Sequence, residues 1–217
     1  MRKFLILSLI LLLSACGAKD KEAAKTSLPW KATANSDTAT HVLGVDVGTM
    51  TFKELMFALQ LLAEPALFQS KDGKLTLEAY FGKKKFGLLE ARLIAEMDAD
   101  EALLQKMLKE QAGRDSTPSN HWKYKLNIEN TRLANKQRVW RLIYLPVADY
   151  DLKQIRFFGE PAEKIQVNDT AQYLLFPSKG TIVLWDTAGK EIFYYAAKKD
   201  FERLKKSLPM KKMILSE

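Results

Sequence analysis

From about Val42 to Leu208 the hydrophobic positions fall into short, readable periods. Gly44-Val-Asp-Val-Gly48 reads as a brief strand, and Thr51 sits three residues before Glu54, the spacing of a capping box. Phe52, Leu55, Met56, Leu59, Leu62 and Ala63 then recur at helical spacing until Pro65. Leu75, Leu77 and Ala79 alternate with Thr76 and Glu78, which predicts a strand to Phe81. Gly82 to Lys85 is expected to turn the chain into a second strand, Phe86 to Met97. Asp98 or Asp100 can cap a helix carrying Leu103, Leu104, Met107 and Leu108.

Residues 113–120 are polar and read as a linker. Beyond them Trp122, Tyr124, Leu126 and Ile128 alternate with polar neighbours, the pattern of a half-buried strand. A turn over Leu133–Gln137 leads to a strand from Arg138 to Leu145. Asp151 and Gln154 open a short helix with Leu152, Ile155 and Phe158. Strands follow at Tyr173–Phe176, Thr181–Trp185 and Glu191–Ala196, the last two joined by an Asp186–Gly189 hairpin. A final helix carries Phe201, Leu204 and Leu208 and stops at Pro209. The expected class is α+β, with a mainly antiparallel sheet and helices packed on one face.

The two halves echo one another. Glu64-Pro65-Ala66 and Glu160-Pro161-Ala162 stand 96 residues apart, and Leu75–Phe81 matches Ala171–Pro177 at the same offset. Asp100, Leu104, Lys106 and Leu108 match Asp200, Leu204, Lys206 and Leu208 at an offset of 100. The expectation is a tandem duplication of a helix–strand–strand–helix unit, with repeats at 42–112 and 113–217.

Composition supports a real core: 47% of the 217 residues are hydrophobic and 28% are charged. A single Cys leaves no intramolecular disulfide and no cysteine cluster for zinc or iron–sulfur chemistry. Met-Arg-Lys, an apolar run from Phe4 to Leu13 and then Ser14-Ala15-Cys16 make a secretory leader, shorter than a spanning helix of ~20 residues. Leu13-Ser14-Ala15-Cys16 resembles the lipobox of bacterial lipoproteins. That resemblance implies acylation of the Cys16 thiol, cleavage of residues 1–15 and acylation of the new amino terminus. Two or three acyl chains anchor a protein stably where one does so only marginally. Gly17, by resemblance to enteric sorting rules, favours the outer membrane, periplasmic face. Residues 16–41 then read as lipidated Cys and flexible tether. Losing Arg2 and Lys3 with the leader lowers the formal charge of +8 to +6, a balance that does not suggest nucleic acid.

Gly48-Thr-Met-Thr-Phe-Lys-Glu-Leu55, followed by Ala63-Glu64-Pro65, resembles the Gly-Met-Thr-x-x-Glu-Val…Gly-x-Pro signature of the SmpA/OmlA (BamE) outer-membrane lipoproteins, with Thr49 inserted and Ala63 in place of Gly. Tandem copies of such a unit are similar to the β-lactamase-inhibitor-protein fold. Both resemblances imply a helix-covered sheet that binds other proteins.

Candidate chemistry is sparse. Leu43 to Thr49 resembles the first phosphate motif of sugar kinases, actin and Hsp70 chaperones, but the chain is too short for that two-lobed fold. His41 and His121 have no nucleophile-elbow sequence to serve. Asp98, Asp100 and Glu101 sit where helix caps belong. No catalytic residue, metal site or cofactor is expected. The residues offering a binding surface are the strand aromatics Trp122, Tyr124, Trp140, Tyr144, Tyr194 and Tyr195, since neighbours along a strand face opposite ways. The expected function is a membrane-anchored periplasmic lipoprotein with a non-enzymatic protein-binding or envelope-assembly role. Its partners would be the bilayer, through Cys16, and an envelope protein. The alternative is a periplasmic hydrolase, or a lipid-handling enzyme or carrier with an apolar ligand.

Overall fold

A computed structural model describes residues 28–118 and 120–209. Cys16, the leader and the last eight residues lie outside the described residues. A small three-stranded sheet comes first, made of β1 (Thr33–Ala34), β2 (Thr40–Val42) and β3 (Val45–Val47) in that order. The main sheet holds ten strands, all paired antiparallel: β4 (Pro65–Gln69), β5 (Leu75–Phe86), β6 (Leu89–Met97), β7 (Gly113–Ser116), β8 (Trp122–Lys125), β9 (Val139–Pro146), β10 (Glu163–Gln166), β11 (Ala171–Phe176), β12 (Thr181–Asp186) and β13 (Ile192–Ala196). Their order across the sheet is β10-β11-β12-β13-β9-β6-β5-β4-β8-β7. The helices are α1 (Phe52–Leu59), α2 (Glu101–Lys109), α3 (Ile128–Asn135), α4 (Leu152–Ile155) and α5 (Phe201–Ser207). The α+β class with a mainly antiparallel sheet is therefore what the chain forms.

The order resolves into two four-stranded halves. β4-β5-β6-β9 and β10-β11-β12-β13 meet through their last strands, Tyr144 opposite Phe193 and Leu142 opposite Tyr195. On the front of the sheet Leu77, Leu93, Leu142, Tyr144, Leu174, Val183, Phe193 and Tyr195 form one core. Phe52 and Leu55 of α1, Leu104 and Met107 of α2, Ala134 of α3 and Ile155 of α4 join it. Intervening residues face the other way: Tyr173, Leu175, Ile182 and Tyr194 form a second core with Phe201 and Leu204 of α5 and with Leu208 just after it. Four helices thus share the front core and α5 covers the reverse of the second half.

That two-sided burial alters the repeat. An offset of 96 equates Leu77, in the front core, with Tyr173, in the reverse core. A shift of one residue exchanges the faces of a strand, so the equivalences that share a face are Leu77 with Leu174 and Ala79 with Phe176. Asp100 and Asp200 are not counterparts either. Asp100 caps α2 by accepting from the Leu103 amide at 2.8 Å, whereas Asp200 makes no cap and opens a helix on the opposite face. The expected boundary at 112/113 falls inside the first half, because β8 extends β4 and β9 pairs with β6.

Local corrections follow from packing as well. Gly82 to Lys85 does not turn the chain; β5 runs on to Phe86 past a register shift at Tyr80/Gly82. Residues 113–116 of the expected linker form the edge strand β7. The strand expected to reach Ile128 stops at Lys125, because the Asn127 side chain accepts from the Asn130 amide and starts α3. The tether reading fails from Leu28 onward: Pro29, Ala32 and Thr40 are buried, and the Thr40 hydroxyl donates to the Ala196 carbonyl at 2.8 Å. Gly180, at φ +60°, lets this segment close on β13, since a Cβ there would overlap the Ala196 carbonyl and the Thr40 hydroxyl.

Candidate functional site

Five of the six aromatics read as a binding surface lie inside. Tyr144 and Tyr195 are fully buried and Trp140 nearly so, while Tyr124 and Tyr194 keep under a tenth of their surface. Tyr144 stacks on Phe193 with ring centroids 5.4 Å apart, and its hydroxyl meets that of Tyr150 at 2.9 Å. The Tyr195 hydroxyl donates to the Pro29 carbonyl at 3.0 Å. Burial pushes the phenols of Tyr144, Tyr194 and Tyr195 far above their ordinary range, so they remain neutral. Tyr124 donates to Gln69 at 2.9 Å. Trp140 is displaced from the regular ladder by the shift beside Met97, and the Arg203 and Arg141 guanidiniums lie 3.9 and 5.0 Å from its ring centroid. Only Trp122 stays 40% exposed, under Arg114 at the β7–β8 edge. Alternation correctly placed Tyr194 and Tyr195 on opposite faces, but both faces are covered there.

A groove takes their place as the candidate site. It runs between α4 and strands β10 to β12 and encloses about 240 Å³. Asp151 and Gln154 form a reciprocal capping box that starts α4. A 3-10 turn over Arg156–Phe158 extends it, and Gly159, at φ +94°, ends it. Glu160 and Pro161 then lead into β10, so the Glu-Pro pair noted in the sequence lines one wall of this groove. Ile155, Leu174 and Phe176 supply an apolar floor, with Trp185 at one side. Arg156, Glu160, Lys164 and Gln172 add charge and hydrogen-bonding groups around it. Cofactor and drug pockets usually measure ~300–1,000 Å³, so this volume suits one or two inserted side chains. The strand bearing Lys164 escaped the sequence reading, although Ile165 and Val167 alternate with polar residues there.

The other polar clusters are structural. Arg138 donates to Asp200 at 2.7 Å, to the Gly48 carbonyl at 3.1 Å and to Asp98, which also accepts from Arg203 at 2.7 Å. Partial burial would raise the Asp98 pKa, but these two arginines outweigh it and hold the carboxyl below its ordinary value. Glu96 pairs with Arg141, yet burial pushes its pKa up, aided by the nearby charge of Glu78. His41 and Asp46 meet at 2.7 Å on the small sheet, each more than a third exposed. Among the described residues no group of three or more His, Cys, Asp or Glu could hold a metal ion. No family model, curated protein or solved structure matches this chain.

Proposed function

We propose that the protein is a lipoprotein anchored through Cys16 to the periplasmic face of the outer membrane, and that it binds an envelope protein without catalysing a reaction. The observation that supports binding is the groove beneath α4. Its apolar floor and mixed-charge rim suit an apolar side chain flanked by polar groups. The lipobox supports the address. The test is recovery of a partner from detergent-solubilised envelope by the tagged wild-type chain, compared with a Lys164→Glu, Gln172→Arg variant, whose changes lie on the rim of the groove. Loss of one protein band with the variant is expected. No specific protein in repeated recoveries, or the same proteins with both chains, refutes the binding reading. Acyl labelling that persists after Cys16→Ser refutes the anchor.

A further inference from the structure

On the proposed anchor, the orientation of the folded body follows from what surrounds its first described residues. The chain enters at Leu28 and forms a 3-10 turn over Pro29–Lys31. Trp30 lies with its ring centroid 5.3 Å from that of Phe157 and 6.0 Å from that of Tyr150. Phe157 remains 60% exposed even with Trp30 against it. Lys153, four residues earlier, is exposed and shares its side of the α4 segment, whereas Leu152, Ile155 and Arg156 line the groove. Lys31 is exposed too, and its charge reaches Lys179, whose own pKa falls through partial burial and this repulsion. Of the nearby acids, Asp37 faces Lys198 at 3.8 Å and Asp151 caps α4, while Glu160 lies on the groove. An exposed aromatic with Lys31, Lys153 and the part-buried Lys179, which make no ion pair among the described residues, is the chemistry of a membrane interface.

We infer that Trp30, Lys31, Lys153, Phe157 and Lys179 form a membrane-contact face that lays the second half of the sheet against an anionic phospholipid surface. The twelve positions from Cys16 to Leu28 can span at most ~40 Å even fully extended, which keeps this face close to the anchoring leaflet. The α4 groove lies beside the contact and stays open to a partner.

The inference rests on the Cys16 anchor, and the experiment separates the two. The processed lipoprotein is reconstituted in neutral phosphatidylcholine vesicles and in vesicles with about 30% phosphatidylglycerol, so that the acyl anchor is constant and only surface charge differs. Amide hydrogen exchange is read over residues 30–31 and 152–158. Slower exchange in the anionic vesicles alone is expected. Each basic residue at such a surface is worth about fivefold, so Lys31→Gln with Lys179→Gln should lower docking on the order of 25-fold and remove the protection. Phe157→Ser should weaken it, while Phe57→Ser, on α1, should not. Equal exchange in both vesicles with intact acylation overturns the contact face and leaves the anchor standing. Protection that appears only when envelope protein is added assigns the face to a protein partner and also overturns it. A chain that carries no acyl label removes the anchor and, with it, this inference.

Discussion

Arg138→Ala is expected to be the most costly single change outside the apolar core. Arg138 immediately precedes β9 and reaches the residues flanking three elements at once: Gly48 just after β3, Asp98 just after β6, and Asp200 just before α5. It is 24% exposed, and Asp200 only 13%. Removing one partner of a well-buried pair costs ~3–5 kcal/mol, and the partial exposure of Arg138 and Asp98 screens part of this, so we expect about 2–4 kcal/mol. With a urea slope of about 2 kcal/mol/M, the midpoint should fall by ~1–2 M. Arg138→Lys should recover less than half, because an ammonium lacks the fork that serves two carboxylates and a carbonyl. Acid supplies a second reading. The Asp98 pKa is held below its ordinary value of 3.8, so its contribution is fully present above that pH and fades as pH falls through the depressed value. The cost of Arg138→Ala should therefore shrink in acid. Urea unfolding at neutral pH and below pH ~4 checks both. A midpoint for Arg138→Ala equivalent to less than ~0.5 kcal/mol of wild type at neutral pH would falsify the assignment of this residue as a hub.

Three further outcomes are expected. Tyr195→Phe should cost about 1–3 kcal/mol by leaving the buried Pro29 carbonyl without its donor, and limited proteolysis should cut residues 28–34 faster than in wild type; equal cleavage rates would show that the hydroxyl does not hold this segment. Gly180→Ala should cost at least ~2 kcal/mol, read by thermal unfolding, because positive φ and overlap with the Ala196 carbonyl add together. The raised Glu96 pKa makes its charged form unfavourable in the folded state. Its stabilising share is complete below the ordinary value of 4.5 and is lost as pH rises through the folded value. Wild type should lose stability relative to Glu96→Gln across that rise, and a pH-independent difference between the two curves would contradict the shift.

Much of the local structure was legible because its signals are local. Thr51 with Glu54 and Asp151 with Gln154 form the capping boxes their spacing implies, and Asp100 caps α2. The helix at Ile128–Asn135 was hidden because Trp122 to Ile128 alternates like a strand, and the Asn127 cap carries less weight in the pattern than that alternation. The α4 groove joins residues from Leu152 to Trp185 that only sheet pairing brings together, and the pairing depends on register.

Composition and periodicity were enough to determine an α+β chain with an antiparallel sheet, and the lipobox reading at Cys16 rests on sequence alone. Periodicity shows that a strand has two faces but not what will cover each of them. Only the tertiary structure decided that α5 would close the reverse face, and this turned Trp140 and Tyr194 from candidate surface into core. It likewise decided that the strand match between the halves shifts by one residue, because a strand's inward face is chosen by the neighbours packed against it, and those neighbours lie far away in sequence.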